Sequence, residues 1–257
     1  MTDGDGLTGR SAAVERTAAF ERYAADGALV LGGLAAILLQ VADPVVARGV
    51  AAHSAFADDP MRRLRHTLTF VYAVLLGTPA QCAKAAGFVD RAHAGVPGAR
   101  DGDRQLWVAA TLVRVGMQLR ELLDGPLDDS LAEEVVAASA AFGTVLQLPP
   151  DAWPADRAAF EAYWAAAVAR LEVTDDARRV AADLLAARAA PWWVRTAMPL
   201  AVTVSAGLLP PSVRDAYGFR HRPARFRRTI RLLRAVLAVT PRRLRELPAR
   251  RLLRTLG

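Results

Sequence analysis

One predicted helix in the first half of the chain carries an unusual combination of chemically active side chains. Arg63, His66, Thr67 and Phe70 recur at helical spacing, so a cation, an imidazole, a hydroxyl and an aromatic ring share one face. A plain core stripe would be apolar throughout. This face could therefore bind or orient a polar reactant. The alternatives are purely structural. His66 could be a core histidine hydrogen-bonded to a backbone carbonyl, and the Thr67 hydroxyl could be hydrogen-bonded to the preceding turn of its own helix.

A second helix follows the hinge at residues 77–79 and presents another imidazole. Cys82, Ala86, Val89 and His93 lie on one face, which is made of small apolar residues and ends in the histidine. His93 could be a solvated histidine at a helix C-terminus, where the helix dipole favours its cation. It could also be a ligand presented to a flat apolar group. Two facing helices that each offer an imidazole from such a surface can bracket a haem.

The composition predicts an all-α fold. The chain has 257 residues, 53% of them hydrophobic, and alanine and leucine dominate while asparagine is absent. We find no repeat and no shift in composition that would divide the chain. We therefore predict a single globular domain of many helices spanning residues 1–257, with a flexible segment at residues 1–12.

Cysteine use and the N-terminus limit the chemistry and the compartment. Cys82 is the sole cysteine, which excludes an internal disulfide and a cysteine-based zinc site. There is no Cys-x-x-Cys-His motif, so any haem would be bound non-covalently. Cys82 could be a thiolate ligand, but we expect a small buried hydrophobe facing the cofactor pocket. The N-terminus lacks a secretory pattern, so we expect a cytoplasmic protein.

Two long segments are strongly apolar. Residues 27–42 contain no charge, but sixteen residues interrupted by three glycines are shorter than the roughly 20 that a spanning helix needs. Residues 191–211 carry a single arginine, Arg195. We predict buried core helices for both segments. They also suggest a hydrophobic substrate, although a protein core would have the same composition.

The C-terminal part, residues 214–257, is strongly basic. The whole chain has a formal net charge of +7, and the segment from Arg214 to Arg254 contains fourteen arginines against Asp215 and Glu246. We predict two basic amphipathic helices, the second beginning after Pro241. Their exposed side is either a solvated face or a peripheral contact with an anionic membrane. We expect no nucleic acid, since these helices have one aromatic residue for base stacking.

Five segments together resemble a known family. They are LLQVADPVVARGV with the following His53-Ser54, DPMRRLRHTLTFVYAVLLGTP, VDRAHAGVPG, LWVAATLV and LLPPSVRDAYG. In their order and spacing the chain resembles the latex-clearing-protein and MpaB-type oxygenase family, also described as DUF2236, from about Gly27 to Tyr217. The resemblance implies an all-α fold and one b-type haem held between two core helices.

The resemblance also implies roles for individual residues. The family's proximal haem ligand falls on His93, and its distal arginine and threonine fall on Arg63 and Thr67. Where latex-clearing members can place a lysine that coordinates iron, this chain has His66. The resemblance therefore implies one of two roles for His66. Either it ligates the iron of the resting protein together with His93, or it is a distal acid and base that acts on bound dioxygen. Arg63 could otherwise pair with Asp59 on the helix surface.

This chain departs from the family at three places. Residues 38–57 contain no glutamate, although rubber-cleaving members use one as a base upstream of the arginine. Asp43 and Ala109 stand where many relatives have histidine. The rubber-cleaving reaction is therefore not transferred. The resemblance still implies that this chain binds haem and carries out oxygen chemistry.

We therefore predict a b-type haem-dependent oxygenase acting on a hydrophobic or isoprenoid-like small molecule with dioxygen or peroxide. Its reaction would be oxidative cleavage or hydroxylation. Arg63, His66 and Thr67 are the candidate catalytic residues, because a cation and hydrogen-bond donors in a dry pocket stabilise a partly anionic oxygen. Candidate cofactor-binding residues are Arg63, Thr67, Cys82, Val89 and His93, with Arg195 and Arg214 for the haem propionates.

Two other classes of function remain open. One is a non-catalytic haem-binding sensor, carrier or electron-transfer protein in which His66 and His93 both ligate iron. The other is a helical scaffold that has lost the cofactor and whose basic tail meets a membrane.

Overall fold

Helix-forming composition and well-placed capping residues produce an almost entirely helical structure. The computed structural model describes residues 16–52, 60–96, 98–146, 148–149 and 151–257. These residues form fourteen α-helices, one 3-10 helix and no strand, as one globular domain, which confirms the all-α prediction. The segment predicted to be flexible, residues 1–12, lies outside the described residues, as does His53.

The helices are numbered in chain order. They are α1 Ala18–Ala24, the 3-10 helix Gly27–Gly32, α2 Gly33–Gln40, α3 Pro44–Ala52, α4 Pro60–Leu76, α5 Pro79–His93, α6 Gly102–Asp124, α7 Asp129–Val145, α8 Arg157–Ala169, α9 Asp175–Ala186, α10 Trp192–Leu208, α11 Pro211–Ala216, α12 Pro223–Val239, α13 Arg242–Arg245 and α14 Leu247–Arg254.

Helix α6 is the longest helix of the described chain, and it is apolar on two faces. One face contributes Trp107 and Leu119 to a core shared with α2, α9 and α10. The other contributes Val113 and Met117 to a second core shared with α1, α7 and α8. Asp101 begins the helix by accepting hydrogen bonds from the first-turn backbone. Both cores therefore depend on one element.

The uncharged segment at residues 27–42 is buried, as predicted, but it is not one continuous helix. It forms the 3-10 helix and then α2, in which Leu38 and Leu39 are fully buried. At the junction, a Cβ on Gly32 would lie 2.5 Å from Cγ1 of Val115 on α6. The close contact with the Val115 side chain leaves no room for a side chain at position 32.

No single helix in the described ranges is long and apolar enough to cross a membrane. By length and composition alone, one pair of helices joined by a 46° bend passes the test together, namely Ala18–Ala24 with Gly27–Gln40.

The C-terminal end of α2 is held by two side chains from distant parts of the sequence. Trp107 donates its indole N–H to the Leu39 carbonyl at 3.2 Å, and the Tyr217 hydroxyl donates to the Leu38 carbonyl at 2.9 Å. Both carbonyls also accept hydrogen bonds from backbone N–H groups at the helix end, so each side chain adds a second, long-range bond. They join three of the five segments that carry the family resemblance.

Helices α4 and α5 form a hairpin around residues 77–79. Gly77 ends α4 where a Cβ would lie 2.5 Å from the Ala73 carbonyl oxygen. Thr78 and Gln81 then form a reciprocal capping box, with Pro79 in the first turn of α5. Both helices also contact α7.

The C-terminal helix α14 supports this hairpin. Leu256 is buried together with Ala73 of α4 and Ala85 of α5. Gln81 donates to the Leu253 carbonyl at 2.9 Å, and Lys84 donates to the Leu256 carbonyl at 3.3 Å. The predicted helix after Pro241 is thus divided into α13 and α14, and α14 packs on α4.

A buried carboxylate connects the N-terminal, central and C-terminal helices. Asp26 is 5% exposed, and it accepts hydrogen bonds from both Nε and Nη2 of Arg245 on α13. It also accepts from the Ala28 backbone N–H at 3.0 Å and lies 3.5 Å from Arg120 Nη1 on α6. This cluster fixes the position of the C-terminal helices.

Replacing Asp26 by alanine should therefore destabilise the fold strongly. Removing one partner of a buried ion pair leaves the other charges uncompensated, and we expect a loss of about 3 kcal/mol in the free energy of unfolding. Urea unfolding followed by circular dichroism measures it. Asp129→Ala is the matched control, because the side chain of Asp129 pairs with Arg157 while 95% exposed, and its loss should stay below about 1 kcal/mol. Equal losses in the two variants would contradict a structural role for the cluster.

Candidate functional site

The polar face of α4 is open to solvent at the end of the helix that lies away from the hinge. Arg63, His66 and Thr67 are all exposed. Desolvation nevertheless lowers the pKa of Arg63 to about 10. Solvent therefore reaches part of this side chain, while neighbouring protein atoms reduce its hydration; we call this partly desolvated region around Arg63 the recess.

The apolar face of α5 leads to the same end of the hairpin. Cys82, Val89 and His93 are half-buried along it, and His93 is the last residue of the helix. A helix C-terminus ordinarily favours the cationic form of histidine. Desolvation, the largest of the influences of burial and nearby charges, nevertheless lowers the pKa of His93. The neutral imidazole, which is the form that binds a metal, is therefore favoured.

Two arginines act on this imidazole from different elements. After desolvation, the charge of Arg63 on α4 contributes most to the lowered pKa of His93, and Arg100 lowers it further, while Asp90 opposes them. The hairpin thus brings Arg63 and His93 together, thirty positions apart in sequence. His66 lies one turn after Arg63 on α4.

Arg100 is a candidate residue that the sequence patterns did not reveal. It lies in the turn after α5, where Gly98 has a positive φ of 77° and a Cβ would approach Val45 of α3 to 2.8 Å. This conformation favours glycine and directs the chain back beside His93. The Gly98 turn was the available signal, but the direction of the turn depends on packing against α3.

Cys82 points towards the protein core. It packs with Phe70 against the second core, and burial raises the pKa of its thiol, with a smaller opposing effect of the Arg16 charge. The thiol therefore stays protonated near neutral pH. A thiolate ligand at Cys82 is disfavoured, in keeping with its predicted role as a small apolar residue.

The structure does not bring the other two candidate arginines to His93. Arg195 is exposed on α10 and lines a cleft of about 500 Å³ together with Trp192 and Met198. Arg214 is half-buried on α11 and donates from Nε to the Asp215 carboxylate at 3.0 Å. Their roles towards a cofactor stay predictions.

No three histidine, cysteine, aspartate or glutamate side chains converge as a candidate metal-ion site anywhere in the described part of the chain. Iron in a haem needs as little as one side chain from the protein, since the porphyrin supplies the other ligands.

The fold and this recess define a class of protein. It is an all-α protein in which a helical hairpin presents a half-buried imidazole with a depressed pKa beside an arginine and hydrogen-bonding side chains. Clusters of perturbed ionisable groups of this kind mark candidate functional sites.

Comparison with known proteins identifies the family. Residues 21–239 match the family described as "ER-bound oxygenase mpaB/B'/Rubber oxygenase, catalytic domain". The chain therefore belongs to the MpaB and rubber oxygenase family, which confirms the resemblance and places it in a family of oxygenase catalytic domains.

Two relatives from mycobacteria are similar to this chain. The uncharacterized proteins Mb2261 of Mycobacterium bovis and Rv2237 of Mycobacterium tuberculosis are each 32% identical to it over 192 residues. In both comparisons the match covers 69% of this chain and 75% of the relative. No solved structure matches the chain.

The charges around His93 predict a measurable titration. In the protein without cofactor, nuclear magnetic resonance should give His93 a pKa below its ordinary value of 6.5. Arg63→Gln and Arg100→Gln should each raise it by removing a nearby positive charge. Arg195→Gln is the control and should leave it unchanged. A His93 pKa that stays unchanged in both arginine variants would contradict the position of these charges near the imidazole.

The same shift makes stability depend on pH. Above the unfolded-state pKa of about 6.5 His93 is neutral in both states and contributes nothing. As the pH falls below that value, the unfolded chain binds a proton that folded His93 resists, so the free energy of unfolding decreases. His93→Gln should lose less stability than the wild type between pH 7 and about 5 in urea unfolding. An equal loss in the two proteins would count against the depressed pKa.

Proposed function

We propose that this protein is a b-type haem-dependent oxygenase that oxidises a hydrophobic or isoprenoid-like small molecule with dioxygen or peroxide. The observation that carries the proposal is the half-buried, neutral imidazole of His93, held beside Arg63 at the open end of the α4–α5 hairpin. Membership of an oxygenase family supports it independently.

The donor set fits a haem. His93 would ligate the iron, because its depressed pKa keeps a lone pair available near neutral pH. Arg63 and Arg100 supply positive charge near the imidazole, which suits the carboxylates of haem propionates. A bound haem would supply the redox chemistry that activates dioxygen or peroxide.

The α4 side chains would act on the oxidant and its protons. The Arg63 guanidinium can stabilise negative charge in the recess, where reduced hydration strengthens its field. His66, one turn away, can donate or accept a proton, and the Thr67 hydroxyl can donate a hydrogen bond. Together these groups would hold an anionic oxygen species and control its protonation.

The substrate class rests on the family. Its description includes rubber oxygenases, and rubber is an isoprenoid hydrocarbon. The uncharged segment at residues 27–42 gives no separate support, because α2 is used in the core. A hydrophobic or isoprenoid-like substrate is therefore proposed from family membership.

A second candidate function is a haem-binding sensor, carrier or electron-transfer protein. The exposed position of His66, on the helix face that carries Arg63, favours it, because this imidazole is free of core packing and could be a second axial ligand. The enzyme requires an exchangeable position on the iron, whereas the carrier has both positions filled.

The test is the visible spectrum of the protein after reconstitution with hemin. The wild type should show a Soret band distinct from that of free hemin, and His93→Ala should lose it. Arg63→Gln and Arg100→Gln should weaken hemin binding by roughly tenfold each, the value of one charge-assisted contact. His221→Ala is the histidine control and should bind hemin normally.

Four outcomes decide between the alternatives. Wild-type protein without a Soret band would contradict haem binding altogether and favour a scaffold. Unchanged haem ligation in His93→Ala would contradict this ligand alone. A low-spin spectrum that disappears in His66→Ala would favour the carrier. Binding of carbon monoxide to the reduced wild-type protein, in which His66 is present, would favour the enzyme.

A further inference from the structure

The outward face of α12 combines exposed aliphatic and basic side chains. Leu232, Val236 and Val239 lie at i, i+4 and i+7, and they are 58%, 49% and 80% exposed. Three aligned aliphatic groups in water are unfavourable unless another surface covers them. No other described helix exposes such a row.

The opposite face of α12 fixes the orientation of the helix. Ile230 is buried, Leu233 packs on the first core, and Phe226 lies against Gly207, where a Cβ would approach its ring to 2.1 Å. Arg234 donates from Nε to the Leu122 carbonyl on α6 at 2.8 Å. The aliphatic row therefore cannot turn inward without breaking these contacts.

The charge on the outward face has one sign. Arg225 and Arg228 continue the line of the aliphatic row into the first half of α12, and both are exposed. The helix contains no acidic residue. The face thus has a basic half and an apolar half.

We propose that this face of α12 binds the surface of an anionic lipid bilayer, with the helix lying in the plane of the interface. The aliphatic row would enter the acyl boundary while the arginines contact lipid phosphates. A second copy of the chain would bring two faces of like charge together. Nucleic acid is disfavoured, because the exposed row is aliphatic and offers no ring for stacking.

The last helix, α14, is not part of the proposed membrane surface. Helix α14 is also arginine-rich, but it packs on α4, and its C-terminal carbonyls accept hydrogen bonds from α5. The proposed membrane surface is therefore on α12, whereas α14 supports the hairpin.

The test is sedimentation of the full-length protein with vesicles. The protein should bind vesicles of equal parts phosphatidylcholine and phosphatidylglycerol, bind phosphatidylcholine vesicles far more weakly, and dissociate as salt rises. Leu232→Ser/Val236→Ser/Val239→Ser should weaken binding by roughly tenfold or more. Arg225→Gln/Arg228→Gln should also weaken it by roughly tenfold.

A charge-matched control isolates the surface. Arg178→Gln/Arg179→Gln removes the same charge from α9, where both arginines pair with aspartates, and it should bind as the wild type does. Equal binding to neutral vesicles, or normal binding by both α12 variants, would overturn the proposal. A third result would also overturn it. If the wild type does not bind vesicles but forms a dimer, and the triple serine variant is monomeric, then a second copy of the chain covers the face.

Discussion

Burial of α6 on two opposite faces is the constraint on which the rest of the structure depends. One helix must find apolar partners on both sides, so α2, α9 and α10 gather on one side and α1, α7 and α8 on the other. Packing is tight where these elements meet, as at Gly32 against the Val115 side chain. The buried Asp26 cluster then ties α6 to the C-terminal helices.

The candidate site lies beside this core and is formed by the α4–α5 hairpin. A capping box begins α5, Ala73 and Ala85 pack between the two helices, and α14 covers their junction. The open end can then hold groups that would destabilise a core. Desolvation lowers the pKa of His93, and the cation of Arg63 acts in the same direction. The result is a neutral imidazole in a positively charged recess, which suits a ligand to a metal centre that carries anionic groups.

The C-terminal region divides two roles between helices of similar composition. Arginine content alone does not distinguish α12 from α14. Their contacts do, because Leu256 and the carbonyls of α14 are used by the hairpin, whereas Leu232 and Val239 of α12 face solvent. The helix that supports the site and the helix proposed to meet the membrane therefore lie on different parts of the same domain.

Local interactions explain what could be predicted from the residue order. High helix propensity, apolar spacing and breakers such as Gly77 and Pro79 specify helices and hinges, because they act within a few residues along the chain. Family motifs added the identities of Arg63, Thr67 and His93. The break at Gly32 and the division of the last helix were not foreseen, and both lie where the chain contacts distant segments. Tertiary packing brought Arg63 and Arg100 to His93, because a pKa depends on the charges and burial around a group in space.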